Sequence, residues 1–185
     1  LELNIYFLPL ELETSSEEYE RFHLQILEGV KKSVSIPVSM KLPFQITSVP
    51  NLAHRLAEAG CDGLVLFNWF LQPDIDIQNL KTRNLVGKGD FHLSLRWVAL
   101  LAGRVDCDLA SSGGVRISQD VVKQLLAGAA AVQVCSLIYK EGWEALKKLL
   151  EGLKAWMAEH KYESLEDFRG ELSFHKQSLS FRDPE

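Results

Sequence analysis

Several polar residues and glycines stand where a parallel α/β fold does its chemistry. Asn4 in "ELNIY", Lys41 in "SMKLPF" and Asn68 in "VLFNWF" each interrupt or end an apolar, strand-like run. An unpaired polar group in a buried strand costs a few kcal/mol, about 2 or more. Each residue has a bland reading alone: the asparagines can cap turns, and the lysine can extend to solvent from a strand end. Their recurrence at three successive strands points to a site. Further on, "DLASSGGVRISQD" (108–120) reads as strand, Gly113-Gly114 turn and helix start, with Ser118 expected at the N-cap. That is either a tight turn or a seat for a phosphate, because backbone N–H groups at such a junction face outward toward an anion. The next strand ends in Cys135-Ser136, which offers more N–H donors and a hydroxyl.

Composition narrows the chemistry. The 185 residues are enough for one domain with a real core. With 46% hydrophobic and 24% charged residues, the chain reads as soluble and globular. A net charge of -5 supplies no basic face, so nucleic acid is not an expected partner. No apolar run is long enough for a membrane span. Cys61, Cys107 and Cys135 form no paired spacing, which argues against a disulfide framework and suits a reducing, cytoplasmic setting. No two of the five histidines share a metal-ligand spacing, so no metal is expected.

The elements that must position these residues alternate along the chain. Strands are expected at 1–7, 36–44, 62–68, 107–112 and 130–136. Helices are expected at 16–34, 48–60, 93–103, 118–127 and 141–159, from apolar stripes at helical spacing and from end signals such as Ser48, Pro50 and Gly60. Residues 69–92, with "GKG", read as a loop or small hairpin covering something. The tail, with disorder expected past His175, follows "YESLEDFRGELSF". Five strand–helix units make a parallel sheet. They fit either a doubly wound five-stranded sheet or the last five units of a (β/α)8 barrel, in which the final two strands hold a phosphate. The outer strands would be open edges that invite pairing with another chain. Leu3, Ile5, Val38, Leu64, Leu66 and Val132 or Val134 would be partly uncovered on one face.

Taken in order, "ELNIY", "MKLPF", "DGLVLFN", "SSGGV" and "VQVCSLIY" resemble the C-terminal part of the dihydroorotate dehydrogenase-like FMN flavoproteins. The pattern is also similar to the pyrimidine-binding domain of dihydropyrimidine dehydrogenases, and "HKYESLEDFRG" looks like the segment after their barrel. The resemblance implies a TIM (β/α)8 barrel carried in part by residues 1–160, a tail at 161–185, and three further units ahead of Leu1. It implies FMN at the C-terminal ends of the strands. Lys41 would stabilise the reduced, anionic ring. Asn4 and Asn68 would bond a planar ring, since an amide both donates and accepts. Gly113, Gly114, Cys135 and Ser136 would cradle the phosphate.

The implied reaction is hydride transfer between a CH–CH bond of a dihydroorotate- or dihydropyrimidine-like ring and flavin N5. The expected partners are that small molecule and further copies of the chain, and the isolated 185 residues are expected to be inactive. One departure stands out. Family members carry a Ser-Cys-Pro-Asn-like loop after the first of these strands, with a cysteine or serine base. Here the chain reads "NIYFLPLELETSS", with Phe7 or Leu8 at the thiol position. Tyr6 is a weak candidate base, because an ordinary tyrosine titrates near 10. Two alternatives stay open: a barrel using Lys41 as a Schiff-base lysine on a phosphosugar, and a flavin-binding protein without catalysis.

Overall fold

A computed structural model describes residues 1–70, 72–85 and 89–177. The chain begins with β1 (Glu2–Asn4) and α1 (Ser16–Lys31). Ser15 caps α1: its Oγ accepts from the Glu18 N–H at 3.2 Å, while the Glu18 carboxylate accepts from the Ser15 N–H at 2.8 Å. This reciprocal box fixes the helix start. Next come β2 (Ser39–Pro43), α2 (Val49–Glu58) and β3 (Gly63–Asn68). α2 buries Val49, Leu52, Ala53 and Leu56, one face at helical spacing. β3 is buried along its whole length.

The expected excursion is a hairpin, β4 (Gln72–Asp76) paired antiparallel with β5 (Lys81–Leu85). The Asp76 carboxylate holds its turn by accepting from the N–H groups of Gln78 and Asn79. Gly87 and Lys88 of "GKG" lie outside the described residues. The chain continues through α3 (Phe91–Leu101), β6 (Asp108–Ser112), α4 (Ser118–Ala127) and β7 (Ala131–Gln133). It ends with α5 (Ser136–Glu141), α6 (Trp143–Glu159) and α7 (Phe174–Gln177).

Three local expectations are corrected. The last strand stops at Gln133, so Ser136 opens α5 instead of closing a strand. The helix expected from 141 starts five residues earlier and is broken at Gly142, where φ is +75°. Ser118 is not the cap of α4. Ile117 is, and the Asp120 carboxylate accepts from the N–H groups of Arg116 and Ile117 at 2.9 and 3.2 Å. Ser118 instead faces α6, where a Cβ at Gly152 would collide with its side chain. The tail folds back on α4: Gly170 and Leu172 donate to the carbonyls of Leu125 and Leu126, and Phe168 is buried. The expected disorder past His175 falls mostly on residues 178–185, outside the described ones; His175 itself lies in α7.

The main sheet is parallel, in the order β1-β2-β3-β6-β7. Apart from the hairpin, that is chain order with no reversal. A doubly wound sheet reverses its order at a switch point, whereas a barrel proceeds around without one. The fold is therefore a singly wound α/β sheet of the partial-barrel kind. Its curvature shows in one contact. Gln133 on β7 donates to Glu2 on β1 at 2.6 Å. In a flat sheet these strands would stand roughly 19 Å apart. Two extended side chains and a hydrogen bond span only about 13 Å, so the sheet curls until its edge strands face each other.

The two faces differ in chemistry. Leu42, Met40, Leu64, Leu66 and Leu109 pack against the helices with Leu27, Leu52, Leu56 and Val98. The concave face carries Glu2, Ser39, Lys41, Gly63, Ala110, Ala131 and Gln133. β1 and β7 are the edges, as expected. The exposure expected for Ile5, Val38, Leu64 and Leu66 is corrected: all four are buried under the helices. The open face is the small and polar one.

His23 of α1 is fully buried, with Nδ1 at 2.9 Å from the Tyr19 carbonyl and, among the described residues, no partner on Nε2. Burial holds its pKa below the usual histidine value. The unfolded chain protonates near 6.5 while the folded one resists. The stability tied to neutral His23 is therefore fully present above about 6.5 and is lost as pH falls from there toward the folded pKa. We expect urea unfolding midpoints to drop between pH 7 and 5, by no more than about 1.4 kcal/mol per pH unit from this residue. The slope should flatten in His23→Phe. An unchanged slope in that variant would remove His23 from the acid response.

Candidate functional site

A cavity of about 530 Å³ opens at the C-terminal ends of β2, β3, β6 and β7. That volume suits a cofactor-sized ligand. Its wall includes Lys41, Asn68, Gly113, Gly114, Cys135 and Ser136, so six residues singled out from the sequence meet in one place. Each arrives for a local reason. Lys41 lies on the concave face of β2 because its neighbours Met40 and Leu42 turn to the helices. Gly113 and Gly114 turn the chain out of β6 with φ of +104° and +77°, which only glycine adopts easily.

Asn4 does not line the cavity but stands behind it. Asn68 Nδ2 donates to the side-chain oxygen of Asn4 at 2.7 Å and to the Ile5 backbone carbonyl at 3.1 Å. Both donors of Asn68 thus serve β1, leaving its side-chain oxygen to act as acceptor. Tyr6 is 60% exposed, rests edge-on against Phe70 at 4.3 Å and is not part of the cavity wall. Phe7 stacks on Tyr19 and is held against α1, where the Tyr19 hydroxyl donates to its carbonyl at 2.9 Å.

The glycine pair serves packing first. A Cβ at Gly113 would run into the Trp69 indole, whose Nε1 donates to the Ser112 carbonyl at 3.1 Å. A Cβ at Gly114 would lie 2.6 Å from the Phe91 backbone nitrogen at the start of α3. The two N–H groups just ahead of α4, those of Arg116 and Ile117, are already taken by the Asp120 carboxylate. The cradle that remains is made by the turn and the next strand end. Among the described residues, the backbone N–H groups of Gly113, Gly114, Val115 and Cys135 find no acceptor within the chain. Open donors beside a cavity, at two neighbouring strand ends, are suited to an anion such as a phosphate. Lys41 brings a side-chain ammonium to the same cavity wall.

Sequence reasoning missed Trp69, Gln133 and Lys140, which also line the cavity. Trp69 stacks on Phe44 at 4.8 Å and forms a flat wall. Gln133, the last residue of β7, was visible as a polar interruption of "AVQVC". Cys135 is the exposed thiol of the chain, whereas burial pushes Cys107 up to about 12 and also raises Cys61. Thiols raised in this way are poor nucleophiles at neutral pH. Among the described residues, no cluster of three or more His, Cys, Asp or Glu side chains could hold a metal, and no helix is long and apolar enough to cross a membrane.

Residues 11–157 match the family described as dihydroorotate dehydrogenase. Similar proteins include the catalytic subunit of dihydroorotate dehydrogenase B (NAD(+)) from Methanocaldococcus jannaschii, 30% identical over 151 residues. That alignment covers 78% of this chain and 49% of the relative. The subunit of the same name from Methanothermobacter thermautotrophicus is 33% identical over 155 residues, covering 79% and 50%. The one from Pyrococcus abyssi is 29% identical over 152 residues, covering 79% and 51%. The chain spans about half the length of the curated relatives it matches.

Proposed function

This chain belongs to the dihydroorotate dehydrogenase family, and from that premise we propose that it forms the flavin- and ring-binding half of an FMN-dependent oxidoreductase. The substrate class is a small dihydroorotate- or dihydropyrimidine-like ring. The observation that carries the reading is the convergence of Lys41, Asn68, Gly113-Gly114 and Cys135-Ser136 on one cavity.

FMN held in this cavity would supply a two-electron, hydride-accepting centre. The chain's own residues do the rest. Open N–H groups of the 113–115 turn and Cys135 would hold the phosphate. Lys41 places positive charge beside the ring, which favours its electron-rich form. The Asn68 carbonyl oxygen accepts an N–H of a planar ring, its amide group being fixed by Asn4 and Ile5. Trp69, backed by Phe44, gives the cavity a flat apolar wall.

The protein carrying this chain is expected to take up FMN and to be reduced by a dihydropyrimidine-type compound. Lys41→Ala should retain some flavin but lower its reduction potential, as read by equilibration with a reference dye. A protein that takes up no flavin overturns the proposal. A second reading, flavin binding without turnover, is favoured by the placement of Phe7 against α1 where relatives are expected to carry a base. Flavin that is reduced by light but by no dihydropyrimidine would select it.

A further inference from the structure

We infer that Glu2 and Gln133 are positioning residues that fix the Lys41 ammonium at the floor of the cavity, aimed at an anionic or electron-rich edge of a planar heterocycle. The inference rests on the site proposed above for its ligand, but on this chain alone for its geometry. Lys41 Nζ donates to Gln133 Oε1 at 2.8 Å. Gln133 Nε2 donates to Glu2 Oε2 at 2.6 Å. Glu2 Oε1 lies 4.0 Å from Lys41 Nζ. The three residues come from β2, β7 and β1, so the network crosses the whole concave face.

The amide has only one workable orientation here. An ammonium can only donate and a carboxylate can only accept, so Gln133 must turn its oxygen to Lys41 and its NH₂ to Glu2. No apolar residue and no second acid or base makes both bonds. Gln133 lines the cavity above and, with Glu2, the cleft of about 440 Å³ below. The network is thus the partition between them. The Lys41 side chain is 18% exposed. Of its three donors one is taken by Gln133 and the Glu2 charge attracts the ammonium from below, which leaves a donor for the cavity. Without the network a four-carbon side chain would sample many rotamers and carry its charge away from one fixed point.

The test uses the full chain. The Lys41 amine is acylated with acetic anhydride at one fixed pH and followed by mass spectrometry, with exposed Lys32 as the internal reference. Gln133→Leu should speed Lys41 acylation about tenfold, since a charge-assisted hydrogen bond is lost. The paired exchange Glu2→Gln with Gln133→Glu keeps one acceptor for Lys41 and one amide beside it. It should restore slow labelling, which simple loss of packing would not do. Unchanged labelling in Gln133→Leu, or fast labelling in the paired exchange, overturns the inference.

A second arm measures the potential of bound FMN, which should move in Gln133→Leu in the same direction as in Lys41→Ala and return in the paired exchange. A potential that moves only in Lys41→Ala also overturns the inference. Failure of the unaltered protein to take up FMN overturns the proposed function instead, and the labelling result then decides the positioning role by itself.

Discussion

Gly114→Val is expected to destabilise the protein by roughly 2–5 kcal/mol and to end FMN uptake. Two costs combine. A β-branched residue at φ +77° is strained by about 1–2 kcal/mol. Its Cβ would also stand 2.6 Å from the Phe91 nitrogen and 2.8 Å from the Phe91 Cα, and neither backbone atom can move without shifting the start of α3. Overpacking of this kind costs about 1–3 kcal/mol. The clash needs no ligand, so the stability loss should be the same without flavin. The phosphate role is read separately. Bound FMN stabilises the native state by an amount that grows with its concentration over Kd. Urea midpoints with and without FMN should differ for the unaltered protein and coincide for Gly114→Val. If the variant keeps its full flavin-dependent increment, the turn is a packing feature and nothing more.

The same turn shows what the sequence made legible. The strand–Gly-Gly–helix pattern and the helix at 118–127 are as expected, because glycines and apolar periodicity act within a few residues. The partner that demands each glycine is distant in sequence: Trp69 for Gly113 and Phe91 for Gly114. No local pattern reports such contacts. The cap of α4 is Ile117 and not Ser118, because the Asp120 carboxylate reaches back to the N–H groups of Arg116 and Ile117, and two charge-assisted bonds outweigh the hydroxyl of Ser118. The end of β7 was overrun for a related reason. Val132, Val134 and Cys135 favour a strand locally, but the chain bends into α5 at Cys135.

A place in the cavity wall was legible for Lys41, Asn68, Gly113, Gly114, Cys135 and Ser136 because a polar or glycine residue in an apolar run is conspicuous. Gln133 is just as polar, yet its meaning depends on the curl that brings β7 to face β1, and that is a property of the whole sheet. The faces were harder still. Period-two alternation separates Lys41 from Met40 and Leu42, but it does not say which side the helices cover. Placing Leu64 and Leu66 on the open side reversed the sheet, whereas the small and charged residues are the ones left facing the cleft.

That reversal gives the second large prediction. Leu66→Ala should cost about 2–5 kcal/mol, because Leu66 is fully buried among Leu42, Leu52 and Val98 and its truncation leaves a cavity under the helices. Its backbone carbonyl also accepts from the buried Ser94 hydroxyl at 2.6 Å, so the cavity would open where α3 is tied to β3, two residues before Asn68. Ala131→Val adds volume on the opposite face, where Ala131 lies exposed beside the cleft, and should change stability by less than about 0.5 kcal/mol. Urea titration of both variants checks the pair, with the m-value expected to stay constant so that midpoints report stability directly. If the order is reversed, with Ala131→Val the costlier change, the helices do not cover the face that carries Leu66. Lys41 would then point into the core instead of the cavity.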